Sequence, residues 1–362
     1  MESGMTTLSV IMIVCNEENV LSRCLDSVHP HVDEIIVVDT GSDDRTRELA
    51  SQYPKVKVSS FPWTDHFAEA RNFALSQSSS DWNLSLDADE YVIVADWKAL
   101  YQQLESNPGF IGRVKFIDEF LNGDGEAEHT QNRLARLMPA GTRFTGRIHE
   151  QIDSRLVRLN VPLTVRHDGY KAQNKSTRNI PLLEQGLLEE PDNAYWAYQL
   201  GREHAGLKQF DAACAYFEQS RKRMNGSEAY APNAVVSELY ALLGLGELNK
   251  AEKLVTETHQ SAPEFPDYYF ACGIFYLDYI MADPAARIHL LPRIEQSYMK
   301  AISIGETDRY ESVHGTGSFA AWYNLGVFYE TTGQMEKARE AYLRSSRYGY
   351  KKAAERLAEA GL

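Results

Sequence analysis

The chain has 362 residues, of which 43% are hydrophobic and 24% charged, a globular composition rather than a disordered one. Its 37 Lys and Arg stand against 51 Asp and Glu, a net charge of −14. With no basic domain or tail, nucleic acid is excluded as the expected partner. At ~150 residues per domain the length predicts two domains. In chain order, residues 8–14 form a near-continuous apolar run, as a strand buried on both faces does. Residues 18–28 place Leu21, Cys24, Leu25 and Val28 on one helical face. Residues 34–38 (EIIVV) are a second strand, and 40–44 (TGSDD) a turn leading into a helix at 46–51. Residues 55–58 are a third strand. Residues 66–76 form a helix with Phe67, Ala70 and Ala74 on one side, and 82–86 (WNLSL) are a fourth strand. This alternation implies a parallel sheet with crossover helices. Residues 110–170 are rich in Arg and Gly, with strand-like pieces near 112–118, 133–138 and 161–166, and read as a small mixed-sheet extension.

From about residue 180 the pattern is helical and repetitive, close to the ~34-residue tetratricopeptide unit. A segment from Ala194 gives Leu200-Gly201, Ala213, Phe217 and Ser220. One from Pro232 gives Leu239, Leu242, Ala251 and Val255 and ends at Pro263. One from Pro266 gives Gly273 and Tyr276 and resumes, after an insertion, at Tyr298 and Ala301. One from Phe319 gives Trp322, Leu325-Gly326, Tyr329, Ala338 and Tyr342. Residues 350–362 read as the capping helix that stacked repeats need. The expected architecture is an α/β domain over 1–178 and an all-α repeat domain over 179–362. The insertion at 277–293 and the loop at 305–318 are candidate acceptor or interface surfaces.

Cysteines 15, 24, 214 and 272 have neither C-x-x-C nor metal-ligand spacing, so no disulfide framework or zinc site is expected. There is no secretory leader pattern and no run near ~18 apolar residues. The expectation is a reduced, cytoplasmic protein without a membrane span.

In a parallel sheet, ligands sit beyond the carboxyl ends of the strands. That rule selects residues 15–18, 39–44 and 87–90, all polar or acidic and all following apolar runs. In 87–90 (DADE), two carboxylates one residue apart meet the oxygen preference of Mg²⁺ or Mn²⁺, which leave positions open for substrate phosphates; the bland reading is a solvated acidic turn. Residues 15–17 (CNE) open a helix toward the crevice, where Asn16 equally suits helix capping. Asp39 ends the second strand, placed to accept from a base N–H or a ribose hydroxyl, while Asp43 or Asp44 suits the cap of the next helix. No G-x-G-x-x-G is present, which argues against a dinucleotide fold.

Taken together, SVIMIVCNEE, DEIIVVDTGSDDRT, FPWTDHFAEARNFAL and DWNLSLDADE resemble the nucleotide-sugar domain of family 2 glycosyltransferases, the Rossmann-like GT-A fold. With FTGRIHEQI, HDGY and the repeats, nearly the whole chain is similar to bacterial family 2 transferases with a tetratricopeptide tail, a group that includes the peptide S-glycosyltransferases of glycosylated bacteriocins. The resemblance implies that Asp87-Ala88-Asp89 is the D-x-D motif. Asp89 then binds the metal, and Asp87 the ribose or a metal-bound water. It further implies Cys15, Asn16 and Glu17 near the nucleoside, Asp39 on the base, most often uracil, and Arg71 approaching the diphosphate.

Residues 133–166 hold seven arginines against Glu150 and Asp153. Most suit solvated strand faces; one or two suit phosphate oxygens. Glu150 is the candidate base that takes the acceptor's proton. The family places its base at the start of a helix and in a Glu-Asp pair, which His149-Glu150 replaces here. An ion pair with Arg147 is the structural alternative. His167 is a candidate for the metal or diphosphate. The implied activity is inverting, metal-dependent transfer of a sugar from a UDP-sugar to a peptide or protein, with the repeats holding the acceptor or a second copy of the chain. The alternatives are a transferase of cell-surface glycan synthesis and a repeat-based binding module with an inactive sugar domain. A nucleotidyltransferase is disfavoured, since residues 8–30 contain neither Gly nor Lys.

Overall fold

The structure is a computed structural model that describes residues 5–107, 109–121, 127–167, 176–226, 228–259 and 264–359. Pro263, residues 168–170 and the last three residues of the expected capping helix lie outside the described residues. The chain divides into two compact units, Met1–Gly186 and Leu187–Leu362.

The first unit is built on β1 (Leu8–Val14), β2 (Glu34–Asp39), β3 (Val56–Ser60), β4 (Trp82–Ser85), β5 (Glu90–Ala95), β6 (Ile111–Leu121), β7 (Ala127–Pro139), the hairpin of β8 (Arg143–Thr145) and β9 (Gln151–Asp153), and β10 (Arg158–His167). Its helices are α1 (Leu21–Val28), α2 (Thr46–Ala50), α3 (Phe67–Gln77) and α4 (Trp97–Ser106), and α5 (Ser176–Glu189) runs across the division. The main sheet has the order β3-β2-β1-β4-β7-β6-β10-β5. β1 pairs in parallel with β2 and β4, β2 with β3 and β10 with β6, while β7 and β5 join antiparallel. Period-two alternation sorts β1 between two cores. Leu8, Val10, Met12 and Val14 pack with Leu21, Cys24, Leu25 and Val28 of α1, whereas Ile11 packs with Ala68 and Ala74 of α3. A parallel strand covered on both faces has to be apolar throughout, which is why these runs read so clearly.

The strands of 110–170 extend the main sheet with mixed pairing: β7 joins β4 antiparallel and carries β6, β10 and β5 onto it. One expectation needs correcting: Glu150 begins no helix, because it lies between the strands of the β8–β9 hairpin.

The second unit pairs α6 (Ala194–Gly206) with α7 (Phe210–Arg223), α8 (Ala231–Leu245) with α9 (Leu248–His259), α10 (Pro266–Ala282) with α12 (Leu291–Ile304), and α13 (Phe319–Thr331) with α14 (Met335–Ser346), and ends on α15 (Lys351–Glu359). The expected insertion is the end of α10, then α11 (Pro284–Arg287) and a short 3₁₀ turn. Small residues let paired helices close on an aromatic ring. A Cβ at Gly201 would stand 2.5 Å from the Phe217 ring, one at Gly273 2.5 Å from Tyr298, and one at Gly326 2.6 Å from Tyr342. Ser220 and Ser345 hold equivalent places, each donating its hydroxyl to the first carbonyl of the partner helix, Ala194 O and Phe319 O, at 2.8 Å. Gly326→Val forces the ring of Tyr342 aside and should destabilise the repeat unit by about 2–3 kcal/mol, the cost of overpacking a filled interior. Urea unfolding checks this; an unchanged midpoint removes the close-packing argument.

The loop at 305–318 is pinned to its own unit. Arg202 donates to Glu311 at 2.9 Å and Asn233 Nδ2 to the Glu311 carbonyl at 2.5 Å. Buried Asp267 accepts from Ser312 Oγ at 2.7 Å, Val313 N at 2.8 Å and Thr316 Oγ1 at 2.6 Å. Burial pushes the Asp267 carboxyl up to about 6 in spite of those donors. The folded state therefore holds this proton more tightly than the unfolded chain, whose aspartate titrates near ~3.9. The group's favourable contribution is full below about pH 4 and is lost as pH rises through about 6, at most about 3 kcal/mol in all. Asp267→Asn should gain on the wild type by that amount between pH 4 and 7. Parallel denaturation curves at the two pH values would show no crossing if the carboxyl titrates normally.

Candidate active site

Chain direction brings the candidate loops to one edge. Val14 pairs with Asp39 and Ile11 with Ser85, so residues 15–18, 39–44 and 86–89 leave the sheet at the carboxyl ends of neighbouring parallel strands. The first two are laced together. Asn16 N donates to Ser42 Oγ at 2.9 Å, Asp43 N to Asn16 Oδ1 at 2.9 Å and Glu17 N to Thr46 Oγ1 at 2.7 Å. Asn16 has φ 59°, a left-handed conformation that asparagine tolerates better than most residues. It joins two loops rather than capping α1, whose N-cap Val20 makes no side-chain cap bond. Asp44, not Asp43, stabilises the entry to α2, accepting from Thr46 N at 2.9 Å. Asp39 is buried and accepts from Ser42 N, and Cys15 is exposed beside it.

Strand register builds the other side of the site. In β10, His167 lies opposite Glu90 of β5 and opposite Asp118 of β6. Its Nδ1 is 2.9 Å from Asp118 Oδ1, and its Nε2 is 3.1 Å from Asp89 Oδ2. Burial works against a charged imidazole, but the two carboxylates outweigh it and push His167 up to about 10.

Between the two sides runs a buried ionic network. Arg71 is 4% exposed and commits its guanidinium inward: Nε to Glu150, Nη1 to Ser85 Oγ at 3.0 Å, and Nη2 to Asp87 Oδ1 at 2.6 Å. Arg71, expected at the diphosphate, thus gives three of its five N–H groups to protein partners. Glu150, whose structural alternative was Arg147, pairs with Arg71 instead; Arg147 donates to the Asp65 carbonyl at 3.2 Å. Burial raises the Glu150 carboxyl, yet the Arg71 charge prevails and holds it below the ordinary range. Asp87 is likewise raised by burial and brought well below its usual value by Arg71 and then Arg136. Arg136 donates to Glu90 Oε1 at 2.8 Å and stands 3.5 Å from Asp87 Oδ2. Burial, with the neighbouring Asp87 charge, lifts Glu90 to about 7 against the pull of Arg136. Ala88, between the two acids, is buried in the apolar core.

The donor chemistry fits a hard divalent cation. Asp89 holds an oxygen and His167 a ring nitrogen 3.1 Å apart; a cation bound there would displace the Nε2 proton, and Asp118 orients the far side of that ring as carboxylates do behind metal-bound histidines. Among the described residues no three His, Cys, Asp or Glu side chains form a cage. Two protein donors suit Mg²⁺ or Mn²⁺, whose remaining positions go to water and substrate phosphate.

The residues alone put Asp87 and Asp89 together at the end of the fourth strand, in the acidic segment that also holds Glu90, whereas only the resemblance adds His167 to them; Ser85 and Asp118 carry no role in the sequence reading. Arg136 stood undistinguished among seven arginines. For Glu90 a signal existed, an acid immediately following the D-x-D. Asp118 carries none, because its role comes from a strand pairing 49 residues away in sequence.

Residues 9–161 match the model of glycosyl transferase family 2, and residues 319–347 that of the tetratricopeptide repeat. The chain thus carries a segment similar to glycosyl transferase family 2 in its N-terminal unit and a tetratricopeptide match further along the sequence. It is 36% identical over 217 residues to a TPR repeat-containing protein of Synechococcus elongatus, covering 55% of this chain and 52% of that one. It is 30% identical over 240 residues to the SPbeta prophage-derived glycosyltransferase SunS of Bacillus subtilis, covering 60% and 54%. Over 154 residues it is 33% identical to the lipopolysaccharide core biosynthesis glycosyltransferase LpsC of Rhizobium meliloti, covering 40% and 56%. The chain spans about half the length of the curated relatives it matches. Among the described residues no helix is long and apolar enough to cross a membrane.

Proposed function

We propose that the N-terminal unit transfers a sugar from a UDP-sugar, with inversion and with Mg²⁺ or Mn²⁺ as cofactor, to a peptide or protein acceptor. The observation that carries this reading is the meeting of Asp89 with His167 beyond the end of β4, beside the two laced loops. Asp89 and His167 hold the cation, which when bound offsets the negative charge that develops on the departing diphosphate. Cys15, Asn16 and Glu17 line the nucleoside, and Asp39 accepts from the N–H of the base. Asp87 and the Ala88 backbone border the ribose. Glu150 takes the proton of the acceptor nucleophile; its pairing with Arg71 keeps it ionised and able to accept, at some cost in basicity.

The peptide acceptor is supported by the repeats, since stacked repeats present extended surfaces to protein segments. The same surface suits a second copy of the chain, which sedimentation would reveal as a dimer. Free cysteines support a reducing, cytoplasmic setting. A glycan acceptor is the second reading, favoured by the likeness to LpsC.

Incubation with a panel of nucleotide sugars, Mn²⁺ and peptides bearing Cys, Ser and Thr should consume a UDP-sugar and add one hexose mass to a peptide. Glu150→Gln should bind UDP as the wild type does and lose transfer by about 10²–10⁴-fold, the range for a positioned base. Transfer at full rate in chelator rejects the cation, and full turnover by Glu150→Gln rejects the base.

A further inference from the structure

The acids at the tip of β4 lie on a short turn, and something must fix that turn before Asp89 can meet His167. Residues 87–90 are closed on themselves twice: Glu90 N donates to the Asp87 carbonyl at 3.0 Å, and Asp87 N donates to Glu90 Oε2 at 2.8 Å. Glu90 is 2% exposed, so this second bond is shielded from water. Its other oxygen receives Arg136 Nη2 at 2.8 Å, and the same nitrogen lies 3.5 Å from Asp87 Oδ2. Arg136 comes from β7, where Leu137 pairs with Leu84 of β4, and its guanidinium sits 5.3 Å from the centroid of the Phe116 ring. Glu90 also opens β5 directly opposite His167. One residue thus grips the turn that carries Asp89 with its side chain and the strand that carries His167 with its backbone.

We propose that Glu90 and Arg136 are positioning residues for the cation and diphosphate site, acting by holding the 87–90 turn in the one geometry that sets Asp89 against His167. This rests on the functional reading above. A buried ion pair adds little net stability compared with apolar packing, so what this one contributes is placement. Neither side chain touches the donor sugar in this role; both act through Asp87 and Asp89.

The test measures Mn²⁺ and UDP binding calorimetrically, without turnover, in the full chain. Arg136→Met should weaken Mn²⁺-dependent UDP binding by about 10–100-fold, the usual effect of removing a partner that orients a metal ligand. Arg136→Lys should recover part of it, and the donor KM should rise more than kcat falls. Arg136→Met that is folded by near-ultraviolet dichroism yet binds as the wild type does overturns the proposal. Should Arg136→Met fail to fold, Glu90→Gln decides. It keeps an acceptor for Asp87 N–H but removes the charge facing Arg136, and unchanged Mn²⁺ binding there is equally fatal. A wild-type chain that binds UDP no better with Mn²⁺ overturns the functional reading and this one together, whereas equal binding by wild type and variants overturns this one alone.

Discussion

Asp89→Asn should abolish sugar transfer, lowering it by about 10³-fold or more, while costing less stability than the same change at Asp87. The substitution keeps the shape of the side chain and one oxygen but removes the charge that faces His167 Nε2 at 3.1 Å. Charge stabilisation at a departing diphosphate is worth several kcal/mol, and each ~1.4 kcal/mol of it is tenfold in rate. The cost to the fold is limited because His167 keeps Asp118 at 2.9 Å. The same substitution at Asp87 should lower stability more, as well as rate, because Asp87 serves two buried arginines. Rates and melting curves measured side by side separate the two acids. Equal loss of rate without loss of stability in both variants would remove the division of labour drawn here between an acid that faces the ligand and an acid that faces the protein.

Much of this arrangement was legible in the residues, and the part that was not has a physical reason. The strands β1, β2 and β4 announce themselves because a parallel strand covered on both faces has to be apolar along its length. The acids that end them stand out against those runs. β5 was passed over: it starts at Glu90, directly after the acidic turn, and its middle residues are partly exposed, so it lacks the buried-strand signature. The pieces later found as β6, β7 and β10 were recognised as strands, but nothing local says that β7 lies beside β4. That pairing is set by tertiary packing, and it delivers both Arg136 and, through β6 and β10, the Asp118–His167 pair. Arg71 shows the same limit. Its helix was read correctly, yet its partner Glu150 lies 79 residues onward in a hairpin, beyond the reach of any periodicity. The repeats were easier, because Gly201, Gly326 and the aromatics facing them belong to one recurring contact.

Arg71→Met should destabilise the N-terminal unit by about 3–5 kcal/mol, the cost of stripping one member from a buried ionic group. For a domain of this size that lowers the melting temperature by roughly 10 °C. Glu150 is 10% exposed and Asp87 36%, so the larger share of the penalty falls on Glu150. With Arg71 present, its charge holds the Glu150 carboxyl below the ordinary range in spite of burial. A group depressed in this way lends stability above its unfolded pKa, near ~4.3, and that contribution fades as pH falls through the folded value. Without Arg71 only burial remains, which raises the carboxyl, and protonation then relieves the variant. The difference between wild type and Arg71→Met should therefore be largest near pH 7 and shrink toward pH 4. Combining Arg71→Met with Glu150→Leu should recover part of the stability at neutral pH, since an apolar pair of similar volume is often as stable as a buried ionic one. Asp87 keeps Arg136 in that double variant and needs no further rescue. A double variant no more stable than Arg71→Met alone would mean that Glu150 is well solvated without its arginine and that the network is held together chiefly through Asp87 and Ser85.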